Sequence, residues 1–164
     1  IEIHEIRVLG LNYQATNVVI VNRNVRRGFI NEAPTPIIMT KEYFISLLEY
    51  DRWANKRIAG ALTGKDNLPS KCKTLFHHIG ATIDLWYVRV TGEERFFQNL
   101  FEETSPQKTA ELINKGIDRW IDLLNDDKTD LGKVLSYVNS QGEHFNSKLI
   151  DILSQLFTHN HYHR

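Results

Sequence analysis

The stretch Leu149-Ile150-Asp151-Ile152-Leu153-Ser154-Gln155-Leu156-Phe157-Thr158-His159-Asn160-His161-Tyr162-His163-Arg164 decides how the chain is read. Leu149, Ile152, Leu153, Leu156 and Phe157 recur at three and four residues, the period of one face of an α-helix. Along that face Ile152, Leu156, His159 and His163 are spaced four, three and four. Two histidines thus extend a seam that aliphatic side chains begin, and their imidazoles point where leucine is expected. His161 faces another way. Asn146-Ser147 is the expected cap of this helix.

Upstream, the same period marks three more helices. Thr40 can cap a first helix with apolar positions Phe44, Leu47, Leu48, Ala54, Ile58, Ala59 and Leu62, and Gly64 supplies a left-handed stop. A second starts at Pro69-Ser70, carries Leu75, Ile79, Thr82, Leu85, Trp86 and Val90, and ends at Thr91-Gly92. Ser105-Pro106 is a cap with proline at the first helical position, opening a third helix striped by Leu112, Ile113, Ile117, Trp120, Ile121 and Leu124 that ends near Asn125-Asp126-Asp127. Between 133 and 146 the texture changes. Val134, Tyr137 and Val138, followed by Ser140-Gln141-Gly142, read as a short strand and tight turn leading to His144 and Phe145, so a crossover carrying a small hairpin is expected there. Four helices with one long connection indicate an all-α four-helix bundle.

Residues 1–38 read differently. Val18-Val19-Ile20-Val21 is a β-branched run, Asn22-Arg23-Asn24-Val25-Arg26-Arg27-Gly28 a basic turn, and Pro34-Thr35-Pro36 forbids continuous helix. This segment is expected to be an N-terminal extension with one or two strands, and the helical domain to span 39–164, beginning near the single methionine, Met39. Arg23, Arg26 and Arg27 could touch an anionic partner or simply form a solvated turn.

Composition narrows the function classes. The 164 residues carry 20 Lys+Arg against 20 Asp+Glu, so no net field draws the chain to nucleic acid or an anionic membrane. An apolar fraction of 41% is enough for a packed core. No apolar run approaches the roughly 20 residues of a membrane span, and Ile1 onward lacks a signal-peptide pattern, so a cytoplasmic location is expected. The single Cys72 can form neither an internal disulfide nor a thiolate zinc cluster, which leaves nitrogen and oxygen for any metal.

Histidines are where chemistry can sit. A His-x-x-x-His pair on one helix face is a chelating device, and a third nitrogen from a facing helix would leave at least one coordination position for water or substrate. The pair His159/His163 has that spacing; it could equally be a solvated helix end. On the second helix Leu75, His78, Thr82, Leu85 and Arg89 are spaced three, four, three and four, which puts His78 on an inward seam and turns His77 elsewhere. Unpaired buried imidazoles are costly, which favours a ligand role for the group. Asp51 and Asn55, one turn apart on the first helix, could hold an imidazole or lie on a polar face beside Trp53. Arg89 could bind an anionic substrate or pair with Glu93. Cys72 reads as a small packed side chain, and Trp53, Trp86 and Trp120 as core. His144 is a weaker site candidate.

Three segments together resemble the DinB (damage-inducible) family: Tyr50-Asp51-Arg52-Trp53-Ala54-Asn55-Lys56-Arg57; His78-Ile79-Gly80-Ala81-Thr82-Ile83-Asp84-Leu85-Trp86 with Arg89-Val90-Thr91-Gly92-Glu93; and Leu156 to Arg164. The similarity covers about 40–164. It implies a four-helix bundle with a long crossover before the last helix, homodimers in many members, and a divalent metal, zinc, nickel or iron, held by three histidines. Carried over by position, these are His78, His159 and His163. Similar proteins include thiol S-transferases acting with low-molecular-weight thiols, a maleylpyruvate isomerase type, and members without a known substrate. Family members usually continue the fourth helix with Gly-Gln and about five further turns, and residues 1–38 have no counterpart.

The expectation is therefore a metal-dependent enzyme of the transferase or hydrolase type with an open metal position and a small-molecule substrate, binding neither nucleic acid nor membrane. The alternative is a non-catalytic helical bundle whose histidines or metal serve structure or oligomerisation. A di-iron carboxylate site is excluded because no helical histidine has a glutamate three residues before it, and no Gly-x-Ser-x-Gly segment supports serine-nucleophile chemistry. Because imidazole binds metal only when neutral, occupancy is expected to fall as pH drops below about 6.

Overall fold

The computed structural model describes residues 39–164 apart from 66 and 140. The expected strands within 1–38, and Arg23, Arg26 and Arg27, lie outside the described residues. From Met39 onward the protein is mostly helical with one small two-stranded sheet: α1 (Lys41–Leu62), α2 (Ser70–Thr91), α3 (Pro106–Asn125), β1 (Val134–Val138), β2 (His144–Lys148) and α4 (Leu149–His163).

Most helix ends obey the local chemistry of their residues. Thr40 accepts from the Tyr43 amide, and Ser105 accepts from the Lys108 amide with Pro106 at the first helical position. Gly92, at φ +80°, terminates α2 in the left-handed conformation. The start of α4 is different. Asn146 and Ser147 do not cap it; they belong to β2, where Asn146 pairs with Ser136 and accepts its hydroxyl at 2.6 Å. The first amides of α4 are satisfied instead by loop carbonyls, Leu149 N–H by Lys133 and Ile150 N–H by Leu131.

Residue pairings give the helix directions. Lys41 reaches Asp126 and Arg52 reaches Asp118, so α1 and α3 are antiparallel. Phe44 stacks on Phe157 and Asp51 meets Asn160, so α1 and α4 run parallel. Tyr87 packs on Trp120, and Gly80 approaches Ile113, so α2 and α3 also run parallel. A parallel pair needs a long return, and 93–105 supplies it. Two long connections are therefore present, where the sequence indicated one. The other, 126–148, contains the expected hairpin, antiparallel in register Val134↔Lys148 to Val138↔His144. Tyr137 packs edge-on to Trp86, and the Arg89 guanidinium lies over both rings, docking the hairpin on α2.

The core joins Phe44 and Leu48 of α1, Ile79 and Ile83 of α2, Ile113, Ile117, Trp120 and Leu124 of α3, and Ile152, Leu153 and Leu156 of α4. Trp120 is fully buried, and its indole N–H is satisfied by the Ile83 carbonyl at 3.0 Å. Trp86 is buried as expected, but Trp53 is 55% exposed. The face of α1 that turns inward carries Asp51 and Asn55 in place of apolar side chains, which puts Trp53 on the outside. A Cβ on Gly80 would lie 2.6 Å from Phe97 Cζ and 2.7 Å from Ile113 Cγ1. Glycine there lets the 93–105 segment lie against α2. No helix among the described residues is long and apolar enough to cross a membrane.

Candidate metal centre

The 93–105 segment is held onto α2 by polar side chains that helical periodicity cannot reveal. The Asp84 carboxylate accepts the amides of Phe96 and Phe97 at 2.7 and 3.0 Å. His77 was expected to face away from the site; it does, but it is buried against this segment. Its Nε2 donates to the Asn99 carbonyl at 2.9 Å, which leaves Nδ1 to accept the Thr104 hydroxyl, also at 2.9 Å.

His78 stands beside it, 9% exposed, on the face turned to α4. Its Nδ1 donates to the Leu100 carbonyl at 3.2 Å, and its ring is stacked on Phe101 with centroids 4.2 Å apart. That hydrogen bond sets the tautomer and leaves a lone pair on Nε2. Opposite, His159 Nε2 lies 3.1 Å from His78 Nε2. His163, one turn further along α4, brings its ring centroid to 5.0 Å from that of His78 and 4.5 Å from that of His159. One donor atom from each histidine falls within 4.8 Å of the other two. Nitrogens bound at about 2.1 Å to one ion stand roughly 3 to 3.5 Å apart, so modest side-chain rotation is all that ligation would need.

The donor chemistry fits a cation as well as the spacing does. His159 Nδ1 faces Asn160 Oδ1 at 3.4 Å, an acceptor that places the ring proton on Nδ1. With the ring proton there, Nε2 of His159 is available to share a cation with Nε2 of His78, 3.1 Å away. Desolvation favours the neutral, ligating form of all three imidazoles. Desolvation lowers the affinity of His78, His159 and His163 for protons, and for His159 the neighbouring His78 and His163 add to it, bringing its pKa to about 4.

Asp51 and Asn55 lie on the buried face of α1 rather than on a polar surface beside Trp53. Asp51 is 2% exposed; it accepts from Asn160 Nδ2 at 2.8 Å and pairs with the Arg164 guanidinium. Burial pushes its carboxyl above the usual range, while Arg164 and Asn160 pull it back. Asn55 is buried with no hydrogen-bond partner for either amide atom among the described residues. Asn160, completely buried, is a site residue that spacing alone missed. Its position between two histidines was the available signal, but an asparagine in a polar helix end reads as solvated.

The remaining candidates fall outside the cluster. Arg89 stacks on Trp86 and Tyr137 and donates to the Val138 carbonyl, while Glu93 is taken by Arg119 and the Tyr87 hydroxyl. His144 is exposed on β2, and Cys72 is half-buried near the start of α2. No family model, curated protein or solved structure matches the chain.

Proposed function

We propose that residues 39–164 form a DinB-like four-helix bundle in which His78, His159 and His163 hold a divalent metal, zinc, nickel or iron, and that the protein is a metal-dependent enzyme of the thiol S-transferase or hydrolase type. The observation that carries this reading is the convergence of the three imidazoles, with donor atoms within 4.8 Å of one another. A bound divalent ion would supply Lewis acidity, lowering the pKa of a thiol or water so that its anion is available at neutral pH. The protein's own part is to present three neutral nitrogens from two helices, with a ligand count that leaves a coordination position for a small substrate. Phe101, 43% exposed against His78, and the exposed Tyr162 beside His163 give apolar surface next to the ligands on which the body of a low-molecular-weight thiol could rest.

The test is elemental analysis of protein purified without an affinity column. Close to one metal ion per chain is expected, with its loss in His159→Ala. Metal-free protein of undiminished stability would overturn the reading. A stoichiometric metal in protein that transfers no thiol and hydrolyses no ester or amide across a substrate panel would favour the non-catalytic bundle.

A further inference from the structure

A buried carboxylate is costly unless it is well paired, and a leucine at the position of Asp51 would pack the interface between α1 and α4 without that cost. Its two contacts account for its presence. Asn160 follows His159 in sequence and Arg164 follows His163, so a single carboxylate on α1 grips the residue next to each of the terminal histidines.

We propose that Asp51 is a positioning residue for the histidine cluster: through Asn160 it fixes the tautomer and ring orientation of His159, and through Arg164 it anchors the end of α4 that carries His163. The inference rests on the metal-binding reading and deepens it. Asp51 Oδ2 accepts only, so the Asn160 amide must turn its NH2 toward α1 and its carbonyl oxygen toward His159. That oxygen, 3.4 Å from His159 Nδ1, keeps the ring proton there and Nε2 bare, facing His78 Nε2 at 3.1 Å. Without the carboxylate the amide is free to rotate by half a turn and offer its NH2 to Nδ1, which drives the proton to Nε2 and blocks the donor atom. The arrangement is a carboxylate–histidine pair of the kind that orients metal ligands, with an asparagine inserted between the partners.

The test titrates the chain with Co²⁺, followed by its visible d–d bands, with Zn²⁺ competition for affinity. Asp51→Leu is expected to weaken Co²⁺ binding by about 10- to 100-fold and to shift the bands, with far-UV and near-UV circular dichroism unchanged. Asp51→Asn retains an acceptor for Asn160 but loses the charge opposite Arg164. It is expected to keep the parent's band positions with a smaller loss of affinity, a rescue that a merely structural role would not give. If Asp51→Leu does not fold, Asn160→Ala, which breaks the relay from the other side, is expected to show the same band shift. Folded Asp51→Leu or Asn160→Ala protein with the parent's affinity and spectrum overturns the role of Asp51 while leaving the metal reading intact. Parent protein that takes up no Co²⁺ or Zn²⁺ overturns both.

Discussion

Two levels of the same helical interior are built from opposite chemistry. At one, Phe44 and Leu48 of α1 meet Leu124 of α3 and Ile152, Leu153 and Leu156 of α4, and the contacts are apolar. One to two turns further along α1 and α4, the inward positions are Asp51, His159, Asn160 and His163, with His78 of α2 facing the two histidines. The first level needs only volume and shape, and dispersion with apolar burial holds it. The second buries groups that water solvates well, and it is tolerable because each described polar contact fixes a proton or a charge: Leu100 on His78, Asn160 on His159, Asp51 on Asn160 and Arg164. Apolar burial is concentrated at the first level, and side chains that could ligate a cation at the second.

That division can be broken at either level. The largest expected effect is at the apolar one: Trp120→Ala removes a fully buried indole and the hydrogen bond it donates to the Ile83 carbonyl, at a cost of about 3–5 kcal/mol, read as a drop in denaturation midpoint. The polar level should respond to its ligand instead. Metal at a hundred times its dissociation constant is expected to stabilise the protein by about 2.7 kcal/mol, and this increment should disappear with a chelator and in His78→Ala. Gly80→Ala drives a methyl into Phe97 and Ile113 and is expected to cost about 1–3 kcal/mol. Because Phe97 belongs to the segment whose Leu100 carbonyl orients His78, that variant should also weaken metal binding, which a substitution confined to the apolar level should not do.

The most specific effect is proton-linked. A histidine whose pKa is lowered by folding costs nothing above its unfolded value near 6.5. It destabilises the native state progressively as pH falls from there toward the folded value, about 4 for His159, because the unfolded chain binds the proton first. Metal-free protein is therefore expected to lose stability between pH 6.5 and 4, and His159→Leu to lose less over the same range, measured by thermal melts. The same depression bears on proton competition for a metal: imidazoles with lowered proton affinity are expected to release a bound ion at a pH below the value of about 6 that free histidine would set, measured as metal retained after dialysis across that range.

Much of the helical framework was legible because it is written in local rules. Thr40, Ser105-Pro106 and Gly92 act on backbone within a few residues of themselves, and the stripe from Ile113 to Leu124 reports one face of α3 whatever it packs against. The start of α4 was misread because Asn146 and Ser147 have cap chemistry but are held in a strand by partners ten and twelve residues upstream. Trp53 was misread for a related reason. Its apolar character argued for burial, but the face of α1 that turns inward is chosen by Asp51 pairing with Asn160 and Arg164, which sequence spacing cannot see.

The amino-acid order by itself determined that four amphipathic segments exist, where they stop, and that His78, His159 and His163 continue the apolar seams of their helices, since these follow from helical periodicity and capping within a few residues. Only the tertiary structure decided that the three imidazoles converge, that Nε2 of His78 faces Nε2 of His159, and that Asp51 reaches across to the residues following two of them. Those outcomes depend on helix direction, relative rotation and hydrogen bonds between positions as much as 109 residues apart, and no local rule encodes them.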